Sequence, residues 1–351
     1  MPKLKKPRLR NVLNKVTCLR ALAAEPFKRV TLSFYRYVKI ENPADFRDQL
    51  YAEWDKLGVF GRVYLAREGI NAQISVPEPQ FEAFKAALEG HAELAAMYLN
   101  IALEQAESFY KLTIKVRKQI VGDGLPEDSY DLSQVGNHLN AEEFNTAMES
   151  EDALVVDMRN FYESRIGHFE GAVCPDSNTF KEELQMVTEQ LKDQKDKKVL
   201  LYCTGGIRCE KASAYFKHEG FKDVNQLQGG IISYVQEVRQ KQLESKFKGS
   251  NYVFDERISE RVTEDVLSEC DQCGAAWDGY TNCANATCNL LFLQCAACAE
   301  KWNGACTPEC QAVVLLPEAE RRAYYAKQPP CTQEIYLSRI RPKAKIGKEL
   351  R

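Results

Sequence analysis

Cys203 follows the short apolar run Lys198–Tyr202 and precedes Thr204, Gly205, Gly206, Ile207 and Arg208, after which a helical pattern begins at Cys209. A strand–loop–helix turn of this kind points several backbone N–H groups inward and adds the positive end of a helix dipole. Such a ring holds an anion and lowers a thiol pKa. The glycines allow close backbone approach, and Arg208 adds a fixed positive charge. The pattern predicts a nucleophilic Cys203 in an anion cradle built from Thr204, Gly205, Gly206, Ile207 and Arg208; the plainer alternative is a buried strand-end thiol beside a tight turn. Cys209 reads either as a resolving thiol for Cys203 or as a core residue of the first helical turn, facing the sheet.

A second concentration of sulfur lies downstream. Of thirteen cysteines, eight occur within residues 270–310, spaced Cys270-x2-Cys273-x9-Cys283-x4-Cys288-x6-Cys295-x2-Cys298-x7-Cys306-x3-Cys310. Two CxxC knuckles and eight thiolates suffice for two tetrahedral four-sulfur sites, and two structural zinc ions are the expected cargo. An iron–sulfur cluster lacks its usual tight CxxCxxC run, and free or oxidised thiols are the remaining reading. The spacing leaves sequential and interleaved pairing equally open.

The rest of the 351 residues bounds the function. With 44% hydrophobic and 28% charged residues the composition is that of an ordinary folded protein, and no apolar run reaches the length of a membrane span. The start is basic without an apolar stretch behind it, so no secretory signal is expected and the chain reads as cytoplasmic. An odd cysteine count fits reduced thiols better than disulfides. The formal charge is −3, but residues 1–30 carry +8 and residues 338–351 carry +5, leaving −16 on the body. Basic ends are a footprint for polyanions such as RNA, or simply solvated tails.

The elements that must position these residues follow a three-part plan. A basic extension covers 1–30. Residues 31–121 read as a ferredoxin-like α+β domain: a strand over Thr31–Ile40, a helix over Ala44–Leu57, strands Gly61–Ala66 and Asn71–Val76 across the turn Arg67–Glu68–Gly69, a helix over Pro79–Leu88, and closing strands near Leu99–Leu103 and Tyr110–Val121. The polar segment Gly122–Ser133 marks a boundary. Residues 134–245 alternate strand (Ala153–Asp157, Lys198–Tyr202, Val224–Leu227) and helix (Lys181–Leu191, Cys209–His218 and the stretch after Gly229–Gly230), which predicts a parallel sheet covered on both faces. Residues 250–325 form the cysteine-rich, metal-binding part, and 326–351 a basic tail. The overall class is α/β.

The Cys203 loop, with Val156–Asp157–Met158–Arg159, Glu163, Gly167–Ala172 and Leu227–Gly230, resembles the rhodanese domain. That resemblance implies a loop cysteine that carries a persulfide or acts as nucleophile. The loop from Cys203 to Arg208 has the sulfur-handling length; the related phosphatases use one residue more. By the same resemblance, Asp157 and Arg159 support the loop and sheet. Gly61–Ile74 (GRVYLAREGINAQI), Tyr202–Ala212 (YCTGGIRCEKA), Asn251–Glu256 (NYVFDE) and the cysteine-rich tail extend the likeness over nearly the whole chain, and together they resemble the bacterial tRNA uridine(34) hydroxylase family. Membership implies oxygen-dependent conversion of the wobble uridine of certain tRNAs to 5-hydroxyuridine, with the loop cysteine essential, molecular oxygen as co-substrate and tRNA as partner.

Three functions therefore compete: the hydroxylase, a sulfurtransferase carrying a persulfide on Cys203, and a non-catalytic zinc-stabilised RNA-binding adaptor. The loop argues against the adaptor, and the flanking domains argue against a generic sulfurtransferase. No flavin or nicotinamide glycine motif is present. Four histidines, His91, His138, His168 and His218, make a 2-His-1-carboxylate iron site hard to assemble, and His168 reads as structural. Candidate RNA contacts are Arg62, Arg67, Lys115, Arg117 and Lys118, with Lys115 and Arg117 alternating along one strand face; Phe109 and Tyr110 either stack on bases or pack in the core. No protein partner is deducible.

Overall fold

The computed structural model describes residues 9–126, 129–329, 332, 337, 339–342 and 346. Parts of both basic ends thus lie outside the described residues. In chain order the elements are α1 (Lys15–Ala23), β1 (Arg29–Tyr37), α2 (Pro43–Lys56), β2 (Phe60–Ala66), β3 (Gly69–Pro77), α3 (Phe81–Glu89), β4 (Asn100–Ile101), β5 (Leu112–Val116), β6 (Asn137–Leu139), α4 (Ala141–Met148), β7 (Ala153–Asp157), α5 (Phe161–Ser164), β8 (Gly167–Phe169), α6 (Phe180–Gln190), β9 (Lys198–Tyr202), α7 (Ile207–His218), β10 (Asp223–Leu227), α8 (Gly230–Lys241), β11 (Phe247–Tyr252) and β12 (Ser259–Arg261). The chain divides into two compact units, Met1–Met158 with Thr188–Glu244 and Val253–Arg257, and Arg159–Val187 with Ser245–Tyr252 and Ile258–Arg351.

The first unit holds two sheets. In one, the order β4-β1-β3-β2 is antiparallel throughout, the ferredoxin-like arrangement, and β5 adds parallel to the outer edge of β2. Period-two alternation decides its faces. Leu32, Phe34, Val63, Leu65, Ile70, Ala72 and Ile74 point one way, into a core with Phe46, Leu50, Trp54, Phe84 and Leu88 of α2 and α3. Trp54 meets Phe84 edge-on at 5.4 Å and Phe34 at 6.2 Å. Asn42 caps α2 by accepting from the Asp45 N–H, with Pro43 at the first helical position. The opposite face carries Thr31, Ser33, Tyr35, Asn71 and Gln73.

The second sheet of this unit has the order β6-β10-β9-β7, all parallel. Its central strand β9 has Val199, Leu200, Leu201 and Tyr202 fully buried, as a strand covered on both faces requires. The polar segment after β5 is pinned down. Asp123 is buried, and its carboxylate meets the Lys211 ammonium of α7 at 3.1 Å; Lys211 also meets Glu68 at 2.9 Å. A buried lysine held by two carboxylates ties this boundary segment and the β2–β3 turn to α7.

The second unit contains the three-stranded antiparallel sheet β12-β11-β8, and beyond it short elements among the cysteines, including the strand pair Tyr280–Asn282 and Leu291–Leu293. Periodicity missed β8 and β12 because three residues are too few to alternate visibly, and β11 because its stretch FKGSNY is polar or small from Lys248 to Asn251. No helix among the described residues is long and apolar enough to cross a membrane.

Candidate functional site

Cys203 stands at the end of β9, fully buried. Its Sγ accepts the Gly206 N–H at 3.1 Å and the N–H groups of Arg208 and Cys209 at the start of α7. Burial by itself raises a thiol pKa; here it is outweighed by the hydrogen bond from the Cys209 thiol, the Arg208 charge and those backbone amides, and Cys203 is lowered to about 6. Cys209 moves the other way, pushed up by burial and by the neighbouring Cys203. It therefore stays protonated and serves as a donor. Cys209 is fully buried in the first turn of α7, and its thiol is directed at the Cys203 sulfur.

The backbone holds the cradle from below. Ile231 and Ile232, in the first turn of α8, donate to the carbonyls of Cys203 at 3.0 Å and Thr204 at 3.2 Å. Gly230 has φ +65°, and a Cβ there would stand 2.5 Å from the Cys203 carbonyl oxygen. Gly206 has φ +97°, and a Cβ there would stand 2.8 Å from the Tyr35 hydroxyl. Both positions need glycine for conformation as well as space. Arg208 reaches back to the Thr204 hydroxyl at 3.3 Å.

From the other side the polar face of the first sheet meets the loop. Tyr35 donates to Glu210 Oε1 at 2.9 Å, and Tyr37 donates to the Ile207 carbonyl at 3.2 Å. Asn100 donates to the carbonyl of Gly229 at 3.1 Å and of Gly205 at 3.4 Å, and accepts from Ser233 at 2.6 Å. Glu210 also accepts from Gln226 at 3.0 Å and bonds His138 Nε2 at 2.9 Å. Burial pushes Tyr35 well above its ordinary value, with Glu210 and Cys203 adding to the shift. None of these partners was singled out from sequence. The one available signal was the alternation of Thr, Ser, Tyr and Tyr with apolar residues in TLSFYRY, which marks a strand whose second face is polar.

Between sheet face and loop lies a cavity of about 220 Å³, lined by Ser33, Tyr35, Asn71, Gln73, Phe109, Phe254 and the loop residues Cys203, Thr204, Gly205, Ile207 and Arg208, among others. Of the two aromatic residues weighed as stacking groups, Phe109 lines this cavity, whereas Tyr110 lies beneath the Lys15 and Lys111 ammonium groups. The candidate RNA contacts Arg62, Arg67, Lys115, Arg117 and Lys118 are all exposed. Arg62 sits opposite Gln73 in the β2–β3 register, and Lys115 is opposite Tyr64, whose ring lies 5.5 Å beneath Arg117. His168 Nδ1 donates to the Ser164 carbonyl at 2.9 Å, a local brace. Asp157 accepts from the Tyr202 hydroxyl at 2.7 Å, and the buried Arg159 donates to the Gly167 carbonyl at 2.6 Å.

In the second unit the eight cysteines form two groups, Cys270, Cys273, Cys295 and Cys298, and Cys283, Cys288, Cys306 and Cys310, with the sulfurs of each group within 4.8 Å of one another. The pairing is interleaved. Sulfur separations of 3.7 Å for Cys273–Cys295, 3.6 Å for Cys288–Cys306 and 3.8 Å for Cys306–Cys310 are far too long for a disulfide. A zinc–sulfur bond of about 2.3 Å implies a tetrahedral edge of about 3.8 Å, which these separations match. Backbone N–H groups of Cys295 and Cys306 point at the sulfurs of Cys270 and Cys283, both at 3.4 Å, as in a metal knuckle. Each group can hold one metal ion.

Residues 29–120 match the UPF0176 acylphosphatase like domain, 140–237 the rhodanese-like domain and 248–311 the rhodanase C-terminal domain. A protein of Leptospira interrogans named tRNA uridine(34) hydroxylase is 52% identical over 340 residues, covering 97% of this chain and 93% of its own. Proteins of the same name from Photorhabdus laumondii and Yersinia enterocolitica are each 49% identical over 319 residues, covering 90% of this chain and 91% of theirs. With identity of this order over nine-tenths or more of both chains, the chain belongs to the tRNA uridine(34) hydroxylase family.

Proposed function

We propose that this enzyme hydroxylates uridine 34, the wobble nucleotide of tRNA, at C5, with Cys203 as the reacting group. The observation that carries the reading is the ionised, fully buried Cys203 facing a cavity of nucleobase size, inside a chain whose relatives bear that activity in their name. A thiolate adding to C6 of uracil makes C5 electron-rich and open to an oxidant; loss of the C5 proton and departure of the thiolate restore the ring. A persulfide or oxidised sulfur on Cys203 is the other way the same loop can deliver the reaction. Molecular oxygen is the co-substrate in this reading: one oxygen atom enters at C5, and a two-electron donor of the thiol class, oxidised to a disulfide, reduces the other to water.

The anion cradle made by Thr204–Arg208 also suits a sulfurtransferase persulfide, and that is the reading to separate. An adaptor has no use for a buried thiolate. We assign residues 31–121 to a ferredoxin-like domain that roofs the loop, 134–245 to the rhodanese-like domain that carries it, and 250–325 to a part stabilised by two zinc ions, flanked by basic segments 1–30 and 326–351. Arg62, Arg67, Lys115, Arg117 and Lys118 meet tRNA phosphates. The protein works in the cytoplasm, where thiols stay reduced.

Nucleoside mass spectrometry of tRNA from cells lacking the protein, complemented with wild type or Cys203→Ser, tests the assignment. Loss of 5-hydroxyuridine, restored by the wild type alone, is expected. Loss of a thiolated nucleoside with 5-hydroxyuridine intact would assign the sulfurtransferase instead.

A further inference from the structure

Most polar side chains around the cavity are already engaged. Thr31 bonds Ser108, Tyr35 bonds Glu210, Asn100 is spent on Gly229 and Ser233, and Asp255 pairs with Arg257. Three groups on the open sheet face differ. Among the described residues, Ser33 and Gln73 have no side-chain hydrogen bond, and Asn71 has one, from Nδ2 to the Ile120 carbonyl at 3.3 Å. Ser33 sits directly opposite Gln73 in the β1–β3 register, and Asn71 lies two residues along the same strand, on the same face. A polar row with open hydrogen-bonding capacity therefore lines the cavity that Cys203 enters.

We propose that Asn71 and Gln73 read the Watson–Crick edge of the base that enters this cavity and select uracil over cytosine. The inference rests on uridine 34 being the substrate, and adds the residues that choose it. The cavity, about 220 Å³, has room for one pyrimidine ring with its exocyclic oxygens. Uracil presents acceptor, donor, acceptor along O2, N3–H and O4. Because Nδ2 of Asn71 is held by Ile120, its Oδ1 is left as an acceptor. It takes the N3–H of uracil and opposes the N3 lone pair of cytosine. Gln73 has no anchor, so its carboxamide turns to donate to the neighbouring carbonyl oxygen. Phe109 and Phe254 give the ring apolar faces to lie against. A site built to satisfy one hydrogen-bond pattern rejects the base that leaves its polar groups opposed.

The test uses anticodon stem-loop RNAs that differ at position 34, U or C, as protectors of Cys203 against iodoacetamide. With the wild type, the U34 RNA slows alkylation and the C34 RNA needs at least about 10-fold more to do so. Gln73→Ala raises the half-protecting concentration of U34 RNA about 10-fold, and Asn71→Ala brings U34 and C34 to parity. Asn71→Ala also releases the Ile120 carbonyl; Gln73→Ala leaves no partner behind, so it keeps the test valid if the first variant folds poorly. Equal protection by both RNAs with the wild type, no protection by either, or variants that protect like the wild type would each overturn the proposal. Measuring 5-hydroxyuridine with the same proteins separates the two readings. U34-selective protection without 5-hydroxyuridine overturns the reaction and keeps the base selection, whereas 5-hydroxyuridine formed by both variants at the wild-type KM overturns the base selection alone.

Discussion

The Tyr35 hydroxyl donates to Glu210 at 2.9 Å, bonding the first strand of the chain to the helix that follows the Cys203 loop. The two residues are 175 positions apart, and their bond joins the roof of the cavity to its floor. Tyr35→Phe keeps the ring and leaves a partly buried carboxylate one donor short. A loss of about 1–3 kcal/mol in urea unfolding is expected, with a drop in tRNA modification larger than the change in folded fraction. Unchanged stability would mean that the roof and floor are held together elsewhere.

Cys203 and Cys209 should separate in a pH profile. Alkylation of Cys203 is expected to follow a thiolate with a midpoint at about 6. Cys209→Ala removes a hydrogen bond that favours the thiolate, so the midpoint should move up while the loop stays folded. Cys203→Ser should abolish 5-hydroxyuridine, because a hydroxyl does not ionise near neutral pH. Mass-resolved alkylation rates across pH 4–9 read both effects.

His138 and Glu210 give the fold a pH signature. His138 is raised above its ordinary 6.5, chiefly by its bond to Glu210; burial pushes Glu210 up, but the bonds from His138, Gln226 and Tyr35 leave it below its ordinary 4.5. The His138 contribution is complete below 6.5 and is lost as pH rises through the folded value. That of Glu210 is complete above 4.5 and is lost as pH falls through its folded value. The pair is therefore fully formed between about 4.5 and 6.5. His138→Gln should flatten the alkaline limb of a stability–pH curve from urea unfolding and leave sites outside this cluster unaffected.

The interleaved sulfur groups predict a specific metal count. The purified protein should hold about two zinc ions by elemental analysis, and a chelator should unfold the cysteine-rich part. Cys270→Ser with Cys295→Ser should cost one ion, since both sulfurs belong to one group, whereas Cys270→Ser with Cys283→Ser should cost two. Sequential pairing would reverse both results, with two ions lost in the first double substitution and one in the second.

If the proposed phosphate contacts hold, the exposed Arg62 and Lys115 should contribute to the salt dependence of tRNA binding. Arg62→Ala and Lys115→Ala should each reduce the slope of log affinity against log salt by about 0.7–0.9 if the side chain meets a phosphate. Arg29 is a poor substitute for such a contact: it pairs with Glu25 at 2.9 Å and lies 4.0 Å from the Phe60 ring. A slope unmoved by either substitution would place the phosphate path on another face.

Much of this protein was legible locally. Cys203-Thr-Gly-Gly-Ile-Arg after an apolar strand announces an anion cradle because conformation and charge there are set by neighbours in the chain, and the two CxxC knuckles announce metal sites for the same reason. Alternation in TLSFYRY and the 3.6-residue pattern of α2 and α7 determined which faces are buried. What the tertiary structure alone decided is everything that joins distant segments. The division of eight cysteines into interleaved groups depends on how the strand pair Tyr280–Asn282 and Leu291–Leu293 folds back, since one-dimensional spacing is equally compatible with either pairing. The bond from Cys209 to Cys203 depends on the twist between strand end and helix, and the polar roof of Tyr35, Asn71, Gln73 and Asn100 depends on two sheets closing over one loop. Side chains on a strand's second face look solvated in sequence; only the packing of another domain's loop against them turns that face into the wall of a site.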